Sequence, residues 1–224
     1  MSGKPERYSR LAGIYPWLET FVFGRKLRLA RIALLGKVKR PRRVLLLGDT
    51  EARMLRALHR RFALREATGV EFSEGMLARA IVRAEQAEVD QTVDLHWHLA
   101  DAREWDFPEQ AYDLVVTTFF LDLFTPEEVR QIVARLSRAL KPGGQWLEVD
   151  FDPSAPWGSR WRRGASYRFF RWAVDLYPQE LPPTEQIATE AGFQVEQRWR
   201  DSGHECRALL LSLATADSAS TVRA

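Results

Sequence analysis

Small residues and carboxylates recur along the chain at spacings that could serve a nucleoside-bearing ligand. In "VLLLGDTEARML", Gly48 and Asp49 follow an apolar run directly, and Glu71 comes 23 positions after Gly48. An acid about 20 positions past a glycine turn is placed to accept hydrogen bonds from a ribose diol; the same acid at a bare strand end is simply solvated. Asp101 and Ala102, Thr117 and Thr118, and Asp150 with Asp152 each stand at the end of another apolar run. Asp150 and Asp152 could orient a hydroxyl or amine nucleophile, or instead pair with the arginines between Arg160 and Arg163. Asp122 either shapes the mouth of a substrate site or is a polar residue just ahead of a helix. His96 and His98 share one face around Trp97, which allows two metal ligands, but no third is near in sequence and no metal is expected. His59 reads as an exposed helix residue and His204 as a turn residue.

The elements that must hold these residues follow from hydrophobic patterning. Val- and Leu-rich runs alternate with amphipathic stretches from Val44 onward, the mark of a largely parallel sheet covered by helices on both faces. The expected order is strand "RVLLL", helix "EARMLRALHRRF", strand "ALREATGVEF", a helix capped by Ser73, strand "VDLHWHLA", and the doubly buried strand "YDLVVTTFF". A helix with Thr125 as N-cap and Pro126 at its first position follows, stopped by "KPGG" ahead of strand "QWLEVDF". An aromatic helix, "SYRFFRWAVDLY", then precedes two strands, "FQVEQRW" and "ECRALLLSL", expected to pair as an antiparallel hairpin. Ahead of the sheet, Trp17, Leu18, Phe21, Leu27, Ala30 and Leu34 recur at helical spacing and predict one or two capping helices.

Bulk properties bound the remaining choices. With 224 residues, 46% of them hydrophobic, the chain can bury one full core. Its single cysteine, Cys206, closes no intrachain disulfide, and no apolar run reaches the roughly 18 residues of a membrane span. The first residues lack the apolar core of a signal peptide, so a cytoplasmic location is expected. Residues 1–43 carry 12 Lys or Arg against 2 Glu, whereas residues 44–224 carry 21 against 28. That basic leader either folds back on an acidic body or docks on nucleic acid or anionic lipid; the absence of an RNA-binding signature disfavours nucleic acid. The oligomeric state is left open.

Taken in order, "VLLLGDTEARML", "GVEFSEGMLARA", "LADAREWDFP", "YDLVVTTFFLDLF" and "LSRALKPGGQWLEVDF" resemble a class I S-adenosylmethionine-dependent methyltransferase, strongly over about residues 40–152. The resemblance implies a doubly wound, mostly parallel seven-stranded α/β sheet, the Rossmann-like methyltransferase fold, with N-terminal capping helices. It implies S-adenosyl-L-methionine as cofactor. Glu71, with Phe72 beside it, would hold the ribose, Asp101 and Ala102 would meet the adenine edge, and Gly48, Asp49 and Thr50 would line the methionine end. Thr117 and Thr118 would border the methyl donor, and Asp122, Asp150 and Tyr167 are candidates for the acceptor pocket. Gly143 and Gly144 of "LKPGG" supply a turn.

The family loop spaces three glycines where this chain has Gly48, Thr50 and Ala52. S-adenosylmethionine has no phosphate, so the loop must offer only room and backbone direction. Ala52 adds one methyl, while a β-branched Thr50 resists positive φ. Neither an Asn-Pro-Pro-aromatic tetrapeptide nor a nucleophilic cysteine directly follows the fourth strand, which disfavours amino methylation of adenine or glutamine and cytosine-C5 chemistry. The layout is closer to small-molecule methyltransferases of the quinone-pathway type. The expected activity is therefore methyl transfer to a small, partly apolar acceptor, with no general base identified. The rival is a non-catalytic domain that keeps the fold as an interaction module. The expected boundaries are a helical cap over 1–40 within the same domain, a methyltransferase-like body over 41–213, and a disordered tail over 214–224.

Overall fold

The computed structural model describes residues 25–49, 51–89, 91–154 and 181–213. The aromatic segment with Tyr167, the leader through Trp17, Leu18 and Phe21, Thr50, and the tail 214–224 lie outside the described residues. Seven strands form one sheet: β1 (Arg43–Leu47), β2 (Glu66–Glu71), β3 (Asp94–Leu99), β4 (Tyr112–Thr118), β5 (Leu140–Phe151), β6 (Phe193–Arg200) and β7 (Cys206–Leu213). Their spatial order is β3-β2-β1-β4-β5-β7-β6. The first five strands are parallel, and β7 inserts antiparallel between β5 and β6. The chain winds outward from β1 to β3, then returns to place β4 on the other side of β1. The strand order therefore reverses between β1 and β4, the place where open α/β sheets receive ligands.

Helices cover both faces. On one side lie α1 (Arg25–Ala33), α2 (Arg53–Arg61) and α3 (Glu74–Glu85), whose Leu27, Ala30, Met54, Leu55, Leu58 and Ala84 join Val44, Leu46, Val116 and Leu147 in one core. On the other lie α4 (Pro126–Ala139) and α5 (Thr184–Glu190), which bury Val129, Ile132, Leu136 and Ile187 against Leu45, Leu47, Val115 and Trp146. Strands β1 and β4 are covered on both faces, which is why their sequences run apolar without alternation. A capping box fixes the start of α4: Thr125 Oγ1 accepts the Glu128 N–H at 3.3 Å, and the Glu128 carboxylate accepts the Thr125 N–H at 2.9 Å. Such a cap stabilises a helix by about 1 kcal/mol.

Three details go beyond the expected elements. Helix α4 ends at Ala139, before "KPGG", and those residues form the irregular start of β5, with Gly143 at φ 75°. Helix α5 was not anticipated, because a seven-residue helix after two prolines shows too little periodicity. Ser73 caps α3 by backbone geometry alone, without a side-chain hydrogen bond. The hairpin of β6 and β7 forms as expected, and its turn puts His204 at φ 52°.

Candidate functional site

At the reversal point the backbone makes the first contribution. Gly48 adopts φ 80°, and a Cβ there would lie 2.6 Å from the Thr118 carbonyl oxygen and 2.8 Å from Phe120 Cβ. Only glycine lets the loop pass so close to the end of β4. Asp49 turns back to the helix that follows: its carboxylate accepts the N–H groups of Met54 at 2.9 Å and Leu55 at 2.8 Å. Burial pushes the Asp49 carboxyl up, and these backbone donors together with Arg31 oppose that. The left-handed residue of the loop is Ala52, at φ 50° and wholly buried. Thr50 lies outside the described residues; the Ala52 methyl group packs in the core.

The end of β2 supplies the acid. Glu71 Oε1 accepts the Ser73 N–H at 3.0 Å, and burial pushes its carboxyl up to about 7. Ser73 Oγ, buried next to it, has no hydrogen-bond partner among the described residues. After β3, Asp101 is gripped by Arg103, with Nε at 3.0 Å from each carboxylate oxygen and Nη2 at 2.5 Å, and Arg103 reaches on to Glu128 at 2.8 Å. Arg103 holds the Asp101 carboxyl below its ordinary value, and a guanidinium already occupies both of its oxygens. Ala102 is buried. The two threonines of β4 diverge. Thr117 Oγ1 accepts the Trp146 indole N–H at 3.0 Å, inside the core under α4, while the buried Thr118 Oγ1 has no partner among the described residues.

A second group of charges lies at the end of β5. Glu148, Asp150 and Asp152 alternate onto one face and are all buried, and Asp122 joins them from the short helical turn after β4. The Asp122 N–H donates to Asp150 Oδ2 at 3.2 Å, and the Phe151 N–H donates to Asp150 Oδ1 at 2.8 Å. Arg207, on β7, pairs with Glu148 at 3.0 Å with both side chains buried; Arg200, on β6, pairs with Asp152 at 2.7 Å. Burial, reinforced by the charges of Asp122 and Glu148, holds the Asp150 carboxyl well above the usual carboxylate range. Two carboxylates so placed in a dry setting cannot both ionise cheaply.

In the leader, Leu27 packs into the core beneath the sheet. Arg31 places its guanidinium 5.0 Å from the centre of the Phe119 ring and acts on the Asp49 carboxylate. Arg28 on the same helix is exposed. Of the histidines, His96 lies 3.2 Å from Asp94 on the outer strand, and His98 stacks on Trp105. Among the described residues no three His, Cys, Asp or Glu side chains gather as a metal cage. Burial pushes the Cys206 thiol up to about 12.

Residues 44–144 match a family model described as a methyltransferase domain. Over these residues the chain is similar to a methyltransferase domain, and its fold is that of solved S-adenosylmethionine-dependent methyltransferases. It is 36% identical over 83 residues to a phosphatidylethanolamine N-methyltransferase of Cereibacter sphaeroides, covering 37% of this chain and 39% of that one. It is 31% identical over 108 residues to a ubiquinone/menaquinone biosynthesis C-methyltransferase of Desulfotalea psychrophila, covering 48% and 39%. The chain thus matches about two fifths of the length of these relatives. A solved S-adenosylmethionine-dependent methyltransferase from Methanosarcina mazei superposes with a TM-score of 0.62 at 15% identity, over 82% of this chain and 98% of that one, a likeness of fold.

The methyltransferase domain retains features that fit its cofactor. Gly48 keeps its close approach, Glu71 stands at the carboxyl end of β2, and the buried hydroxyls of Ser73 and Thr118 have unused hydrogen-bonding capacity. Sequence reasoning missed Arg31, Glu148, Arg200 and Arg207. A basic leader and a charged closing hairpin were visible, but their pairing with residues near Asp49 and Asp150 arises only when distant segments meet.

Proposed function

We propose that the chain transfers a methyl group from S-adenosylmethionine to a small, partly apolar acceptor bearing a hydroxyl, amine or activated carbon nucleophile. The observation that carries this reading is the Gly48 turn facing the end of β4, with Glu71 on the neighbouring strand, in a matched methyltransferase domain. In this reading Glu71 accepts hydrogen bonds from the ribose, Ala102 and the peptide before it border the adenine, and Asp49 holds the first turn of α2 against the methionine end. Asp101 acts mainly through its clamp on Arg103. The cofactor supplies an electrophilic methyl on a sulfonium, displaced in line by the acceptor, so the protein contributes alignment and exclusion of water. Asp150, beside Asp122 at the carboxyl end of β5, is placed to hydrogen-bond an acceptor heteroatom. The names of the two curated relatives, one on a phospholipid and one on quinones, support an acceptor with an apolar portion.

Calorimetric titration of the chain with S-adenosylmethionine tests the reading. Saturable binding is expected, weakened by Arg31→Glu and nearly unchanged by Arg28→Glu, because only Arg31 reaches the loop. Absence of binding to the folded chain would favour the non-catalytic module instead.

A further inference from the structure

The last turns of α2 and α3 enclose a cleft of about 370 Å³ that none of the chemistry above uses. Helices in this fold run back against the strands, so their ends lie at the amino edge of the sheet, opposite the Gly48 loop. Arg56, His59, Arg60 and Arg83 line the cleft with Gln86, over an apolar floor that includes Val89. No carboxylate is among the described lining residues. The polar contacts there are modest: Arg83 Nη1 reaches Gln86 Oε1 at 3.1 Å, and His59 Nε2 meets Thr92 Oγ1 at 2.8 Å. Among the described residues, buried Arg56 Nε has no hydrogen-bond partner.

Helix C-termini explain part of this charge, since each attracts a cation worth about half an elementary charge. Three guanidinium groups around one cleft exceed that need. Guanidinium groups match the oxygens of a phosphate in paired hydrogen bonds, and a phosphate offers more acceptors to three arginines than a carboxylate does. The volume lies in the range of small-molecule clefts.

We propose that the cleft between α2 and α3 binds a phosphate group, held by Arg56, Arg60 and Arg83, at a site separate from the methyl-transfer site. The same chemistry could come from a free phosphorylated metabolite or from a lipid headgroup. Titration of the full chain with inorganic pyrophosphate, and in parallel with phosphatidylcholine–phosphatidate vesicles, distinguishes them. Saturable pyrophosphate binding is expected with a Kd below about 1 mM, weakened at least about tenfold by Arg83→Gln and by Arg56→Gln. S-adenosylmethionine binding should be unchanged in both variants. Arg83 is exposed, so its replacement tests the contact even where Arg56→Gln disturbs folding. Vesicle binding lost in the variants, without pyrophosphate binding, assigns the phosphate to a lipid headgroup at the same cleft. No saturable binding to either probe, or binding that survives Arg83→Gln undiminished, overturns the proposal.

Discussion

The loop after β1 serves its acid with backbone, whereas the end of β5 serves its acids with side chains from another hairpin. Asp49 is met by the N–H groups of Met54 and Leu55, a few residues along the same segment. Glu148 and Asp152 are met by Arg207 and Arg200, more than 45 positions away in sequence. The difference teaches where each region is fragile. A local backbone site fails when its conformation is changed, and a long-range charge site fails when one partner is removed.

The largest effect should therefore come from the charge site. Arg207→Ala leaves Glu148 buried and unpaired beside Asp150, and is expected to cost roughly 3–5 kcal/mol of stability in chemical denaturation. Pairing it with Glu148→Leu should restore much of that loss; a double variant as weak as the single would refute the assignment. The backbone site comes next. Gly48→Ala must place a Cβ against the Thr118 carbonyl in a left-handed conformation, at a cost of roughly 2–5 kcal/mol together with lost cofactor affinity. A variant of unchanged melting temperature would contradict the observed close approach.

A third test uses Glu71, whose carboxyl lies at about 7 in the folded chain, above its ordinary value of 4.5. A raised folded value means that the native state holds a proton the unfolded chain has released. This contribution to stability is full below about 4.5 and is lost as pH rises through about 7. Cofactor binding should run the other way, tightening as Glu71 ionises to accept from the ribose. Thermal melts and titrations across this range should show the two opposed trends, and Glu71→Gln should flatten both. The smallest effect returns to the loop: Ala52→Gly relieves a left-handed alanine and should stabilise the chain by about 1 kcal/mol. A destabilised variant would mean that the buried Ala52 methyl outweighs its strain.

These contrasts follow what the sequence made legible. Gly48, Glu71 and Asp101 could be located because each sits directly after an apolar run, and apolar runs in a doubly wound sheet end at the ligand edge. Ala52 could not be assigned its left-handed backbone, since nothing about an alanine announces positive φ. Asp150 and Asp152 stood out as an alternating pair; the arginines between Arg160 and Arg163 lie outside the described residues, and the described partner of Asp152 is Arg200 on β6. The contact of Arg31 was not legible because a basic helix shows which residues can face water, and not which of them meets a distant aromatic ring. Helix α5 escaped notice for want of length.

The ion pair between Lys26 on α1 and Glu205 in the hairpin turn joins residues 179 positions apart, and α1 packs on β7, the last strand. In a cell the chain is made from its amino end at about 5–20 residues per second. The apolar stripe of Leu27, Ala30 and Leu34 therefore leaves the ribosome some 10–35 s before the strand it packs on exists. That helix is made well before the last strand it packs on, so the nascent protein carries a partly uncovered apolar face until β7 emerges.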